Sequence, residues 1–238
     1  MPSAPGGLDR LLPPQIKGDR FYRALRRVAA TPGVRTILEI GASSGAGSTE
    51  ALVAGALGNP EGPPQIHTIE VSKARFAVLA ERYARYPFLH PYNTSSVPAS
   101  AFPGDAEVAR FYREVRSKLR NNRLEKVLGW LRQDLAYLAE HPELSAAGIE
   151  RIRAAAGVET FDAVLIDGSE FTGSAELDLV HGARFILLDD TRSFKTWECQ
   201  RRLRNDAAYR RVASGYFTRN GWAMFERARP PLDAPRKG

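Results

Sequence analysis

Four apolar runs in this 238-residue chain carry or end in a carboxylate, and carboxylates in such places invite a search for what they hold. "FDAVLIDG" closes on Asp167, "ARFILLDD" on Asp189 and Asp190, "QIHTIE" on Glu70, and "TILEIG" carries Glu39 inside it. If the two aspartate runs are neighbouring parallel strands, Asp167, Asp189 and Asp190 converge at one edge and repel one another. Something positive must compensate: a hard divalent cation such as Mg²⁺, which takes oxygen ligands, or an Arg or Lys, or protons. The stretch "TILEIGASSGAGSTE" adds Gly41, Gly45 and Gly47 just after Glu39. A strand feeding a Gly-rich turn and then a helix is a nucleotide-binding arrangement. The order E-x-G-x-x-x-G-x-G departs from the G-x-G-x-x-G of dinucleotide sites. An acid before the turn repels a pyrophosphate and suits a positively charged ligand.

The elements that must position these residues alternate. "GDRFYRALRRVAAT" reads as a helix with Phe21, Leu25 and Val28 at helical spacing. Strand "VRTILEIG", helix "GSTEALVAGALG", strand "QIHTIEV", helix "SKARFAVLAERYARY" capped by Ser72, and strand "LHPYNTSSV" follow. Residues 102–156 break the rhythm with a long helical block. Strand "FDAVLIDG", a short helix at "SAELDLVH", strand "ARFILLDD" and helix "FKTWECQRRLRND" resume it. Asn220-Gly221 signals a hairpin between two closing strands. The expected fold is α/β: a Rossmann-like, doubly wound sheet of about seven strands, mostly parallel with a C-terminal antiparallel hairpin. Residues 1–18, rich in Pro and Gly, read as a flexible arm; 19–238 form the domain. The 102–156 insertion is expected to lie over the carboxyl ends of the strands as a lid, with a helical prop or a homo-oligomer contact as alternatives.

Bulk properties narrow the classes. The formal charge is +7, but the cations are mostly Arg scattered among Ala and Glu, which argues against a nucleic-acid partner. No run of about 18 apolar residues appears, so no membrane span is expected. A single cysteine, Cys199, fits a reducing compartment, and the chain reads as soluble and cytoplasmic. His67, His90, His141 and His181 have no partners at metal or catalytic spacing. Arg192 and Lys195 follow the Asp pair and suit either an anionic substrate or a solvated helix start.

"ILEIGASSGAGS" resembles the first motif of the class I S-adenosylmethionine-dependent methyltransferases. The resemblance implies that Glu39, Gly41, Gly45 and Gly47 line S-adenosyl-L-methionine, with Ser43 and Ser44 as hydrogen-bond donors. It implies that Glu70 takes the ribose hydroxyls and points to Ser95 or Ser96 at the adenine. The Asp, then Asp-Asp pattern resembles metal-dependent O-methyltransferases acting on sugars of natural products. That implies Asp167, Asp189 and Asp190 as ligands of Mg²⁺, with Asp167 also in the substrate cleft. In those enzymes a general-base Asp follows the first ligand by two positions; Ser169 stands there, and Glu170 is taken as the base or as a group that orients it. The activity implied is methyl transfer to an oxygen of a small polyhydroxyl or saccharide acceptor. A cofactor-binding scaffold without catalysis and a nucleotide-dependent oxidoreductase are the other readings.

Overall fold

The computed structural model describes residues 7–11 and 13–228. Seven strands form one sheet: β1 (Thr36–Ile40), β2 (Gln65–Glu70), β3 (Leu89–Asn93), β4 (Ala163–Ile166), β5 (Phe185–Asp189), β6 (Tyr209–Gly215) and β7 (Trp222–Arg227). Their order is β3-β2-β1-β4-β5-β7-β6. β1 to β5 pair in parallel, and β7 runs antiparallel to both β5 and β6. The order reverses between β1 and β4, and at such a switch point a crevice opens outside the strand ends.

The inner strands β1, β2, β4 and β5 are buried on both faces, and alternate residues enter different layers. Ile37, Ala163, Leu165 and Leu187 pack into a core with α1 (Arg20–Ala29), α2 (Ser48–Ala56) and α3 (Lys73–Tyr83). Leu38, Val164, Ile166 and Ile186 pack on the other face with α6 (Gly148–Ala156), α7 (Gly173–Val180) and α8 (Phe194–Asn205). Two helix starts carry side-chain caps, and the one at Ser72 is as the sequence leads one to expect. Asp19 accepts from the Tyr22 N–H at 2.8 Å, and Ser72 from the Arg75 N–H at 3.2 Å.

Three expectations change. The 102–156 block is not one insertion. Its last helix, α6, places Ile149 and Ile152 in the sheet core and is the ordinary crossover between β3 and β4. What remains is α4 (Asp105–Glu114), a short 3-10 turn at Lys118–Asn121, and α5 (Leu124–Glu140), with their own cluster of Val108, Leu119, Val127, Leu128, Leu131 and Phe171. The helix breaks where the Lys118 N–H donates to the Arg192 carbonyl at 2.7 Å, in a stretch of weak helix formers (Ser117, Asn121, Asn122).

The arm is the second change. Residues 1–6 and 12 lie outside the described residues. Gly7–Asp9 form a 3-10 turn, and the Asp9 carboxylate accepts from Ser72 Oγ at 2.7 Å and Tyr137 Oη at 3.0 Å. Ile16 is buried in the core. This stretch is packed against the domain, not loose.

The third is the hairpin. Gly215 pairs with Trp222, so the loop spans 216–221 rather than the two residues that Asn220-Gly221 signals. The loop docks on the end of β5: the Thr191 N–H donates to Gly221 O at 3.1 Å and the Arg192 N–H to Asn220 O at 3.0 Å.

Candidate functional site

A cavity of about 340 Å³ opens at the switch point, within the size range of small-molecule sites. The turn after β1 forms one wall: Gly41, Ser43, Ser44 and Gly47 line it, with Glu70 at the tip of β2. Pro13, Pro14 and Ile16 of the docked N-terminal stretch and Leu138 of α5 close over it.

The glycines have different reasons. Gly41 has φ +90°, and a Cβ there would collide with the Asp167 carbonyl oxygen. Gly45 has φ +75°, and a Cβ would lie 2.5 Å from the Tyr83 ring. Both are excluded by protein atoms and by backbone angle. At Gly47 a Cβ would meet Pro14 and Ile16 at 3.6 Å, ordinary contact, so neither a clash nor a positive φ demands glycine there. Ser43 has φ +51°, costly for a residue with a side chain, and its N–H donates to Glu70 Oε2 at 2.7 Å.

Glu70 is thereby fixed on both sides, since the Ser72 N–H donates to its Oε1 at 2.8 Å. Burial raises its pKa, and these two N–H donors oppose the rise. Each carboxylate oxygen keeps a second lone pair, so a vicinal diol can be held while the carboxylate stays in place. Glu70, Ser43 and Ser44 all line the cavity. Ser95 also lines it, but its hydroxyl donates to Val97 O at 2.7 Å.

Glu39 is not at the cavity. It alternates with Leu38 and Ile40, so its side chain enters the α1–α2 layer, fully buried, where Thr49 Oγ1 donates to its Oε2 at 2.8 Å. Among the described residues its Oε1 has no hydrogen-bond partner, and burial pushes its carboxyl up to about 7. It ties the first turn of α2 to β1, and so shapes the turn without touching what the turn holds.

The aspartates do meet at one edge. Between them sits an ammonium: Lys195 Nζ is 2.8 Å from Asp167 Oδ1 and 2.9 Å from Asp190 Oδ2. Arg219, carried by the 216–221 loop, is 2.6 Å from Asp189 Oδ1 and also pairs with Asp19. The compensating charge is therefore supplied by Lys and Arg, and Mg²⁺ does not fit the site as built. Among the described residues no group of three or more His, Cys, Asp or Glu is arranged to hold a metal ion. Burial pushes Asp167 up to about 6 against the pull of Lys195. Burial and the charges of Asp167 and Asp190 push Asp189 up to about 7. Burial also raises Asp190, but Lys195 outweighs it and leaves that carboxyl low.

Glu170, taken as the base, does not line the cavity. Its Oε1 accepts from the Lys195 N–H at 3.2 Å, so it caps the first turn of α8. A different acid is in the cavity. Asp134 of α5 lines it beside Ser169, whose hydroxyl donates to Asp134 Oδ2 at 2.6 Å. Burial raises the Asp134 pKa, and the bond to Ser169 opposes the rise. Nothing in the sequence marks Asp134, one acid in an amphipathic helix.

Neither a protein-family model nor a curated protein sequence matches the chain. Solved structures do. An O-methyltransferase from Bacillus cereus, solved in complex with SAH, is 15% identical with a TM-score of 0.51, over 91% of this chain and 84% of that one. A methyltransferase from Geobacter sulfurreducens is 10% identical with a TM-score of 0.51, over 90% of this chain and 81% of that one. The likeness is one of fold: the chain has the Rossmann-like fold of class I methyltransferases.

Proposed function

We propose that this chain is an S-adenosylmethionine-dependent methyltransferase acting on an oxygen of a small polyhydroxyl or saccharide acceptor. One observation carries the reading. The Gly turn after β1 and the pinned Glu70 at the tip of β2 face one cavity, at the switch point of a sheet with methyltransferase strand order. The cofactor, when bound, supplies a sulfonium methyl group. Glu70 would hold the ribose diol, and the N–H groups of the turn its amino-acid end. The acceptor must lose a proton, and Asp134 is the residue placed to take it. Asp167 and Asp190 are tied to Lys195 and Asp189 to Arg219, whereas Asp134 has no ion-pair partner among the described residues. Its burial favours holding a proton, as a general base requires. A polar cavity wall of Asp134, Ser169 and Lys195 supports a hydroxylated acceptor.

The test is S-adenosylhomocysteine formation across a panel of sugars and polyols. Turnover on a panel member is expected to fall about 100-fold or more in Asp134→Asn, with S-adenosylhomocysteine affinity kept. Cofactor binding without turnover on any acceptor would favour the scaffold reading instead.

A further inference from the structure

Lys195 is the second residue of α8, where the positive end of the helix dipole disfavours a cation. Its side chain is only 11% exposed, although ammonium groups are strongly hydrated. What offsets both costs is the pair of carboxylate oxygens from two strand ends, at 2.8 and 2.9 Å. Its seat is fixed from several sides. Gly173 at the start of α7 packs so closely on the Lys195 carbonyl that a Cβ would collide with it. Glu170 holds the Lys195 N–H. Asp190 itself is set in a left-handed conformation, φ +55°, with the Ser193 N–H and Oγ both donating to its carbonyl at 3.0 Å. This is a built site, unlike a surface lysine that happens to reach an acid.

We propose that the Lys195 ammonium is the resident cation of this cluster: it bars divalent metal ions and offers its third N–H to the acceptor oxygen, so that transfer here needs no metal. The second half rests on the methyltransferase reading. The first rests on geometry alone. A Mg²⁺ ion wants six oxygens at about 2.0–2.1 Å. Only Asp167 and Asp190 converge on the point that Nζ fills, while Asp189 is committed to Arg219. A metal ion brought there would also meet the ammonium's own charge at close range. Two of the three ammonium donors are used by the aspartates, and the third has no partner among the described residues. Lys195 lines the cavity together with Asp134, so an acceptor hydroxyl beside the base lies in reach of a positive charge that steadies its developing oxyanion.

Mn²⁺ binding to the full chain, followed by electron paramagnetic resonance, tests this directly. The wild type is expected to bind none at the site. Lys195→Ala is expected to gain one bound equivalent, and Lys195→Ala with Asp190→Asn to lose it again. Lys195→Arg, which keeps the cation, is expected to bind none, and gives a reading should the alanine variant fail to fold. A wild type that binds one equivalent, removed by Asp190→Asn, overturns the proposal. So does a folded Lys195→Ala protein that binds no better than wild type. Turnover on any acceptor found should be indifferent to chelator; a loss of tenfold or more that Mg²⁺ restores also overturns it. S-adenosylhomocysteine calorimetry on the same samples separates the two readings. No cofactor heat, with Mn²⁺ behaving as expected, removes the methyltransferase reading and leaves the resident cation in place.

Discussion

Glu39 spends its carboxylate inside the protein, and its titration should be visible in stability. Its pKa rises from 4.5 to about 7 because it is buried. An acid with a higher pKa folded than unfolded binds more protons in the native state. Its stabilising contribution is therefore full below pH 4.5 and lost as pH rises through about 7. At 1.36 kcal/mol per unit the loss is about 3 kcal/mol. Denaturant unfolding should show the wild type less stable at pH 8 than at pH 5, and Glu39→Gln should flatten the fall. An unchanged slope would place the titration at the other carboxyls that burial raises, Asp167, Asp189, Glu70, Asp134, Glu170 and Glu176. Glu70 differs, since both its oxygens are held by backbone N–H groups and it lines the cavity. Glu70→Ala should weaken S-adenosylhomocysteine binding by about 1.5–3 kcal/mol, the scale of hydrogen bonds to a charged group, as read by calorimetry.

Between elements, the packing of α7 on α8 sets the site. Gly173→Ala would drive a methyl group into the Lys195 carbonyl, and overpacking of this kind costs about 1–3 kcal/mol. A lowered unfolding midpoint is expected, and an unchanged one would mean that α8 moves freely on α7. The strands and most helices were legible because their patterns are local: Phe21, Leu25 and Val28 repeat at helical spacing, and Ser72 caps as its side chain allows. Glu70 and the Asp-Asp pair line the crevice because strand ends at a switch point face it, but no pattern in the sequence says that Lys195 and Arg219 pair with the aspartates. The rest depends on what lies across a gap in the chain. Glu39 precedes the turn motif, but strand alternation turns it away from the cavity. Glu170 is close to Asp167 in sequence, yet it caps the helix that delivers Lys195. Asp134 and Arg219 reach the site on elements whose docking no local pattern states. The Asn220-Gly221 signal names a turn but not the loop that clasps the end of β5.

Across the whole molecule, the crevice is built from distant parts of the chain. Gly7–Asp9 is held to α3 and α5 through Asp9, and Ile16 lies over the turn after β1. Among the described residues no helix is long and apolar enough to cross a membrane. If this cover closes on a cofactor, hydrogen exchange over 7–18 and α5 should slow when S-adenosylhomocysteine is added. Equal exchange with and without it would make both segments fixed walls. Removing residues 1–17 should weaken binding at least tenfold, since Pro13, Pro14 and Ile16 form part of the cavity, and calorimetry on the shortened chain checks this. The most direct measurement is calorimetry of the intact wild type with S-adenosylhomocysteine, in chelator, beside NADH. Saturable one-to-one binding of S-adenosylhomocysteine, with no NADH heat, is the expected result. No heat with S-adenosylhomocysteine and a saturable NADH isotherm would contradict the methyltransferase proposal.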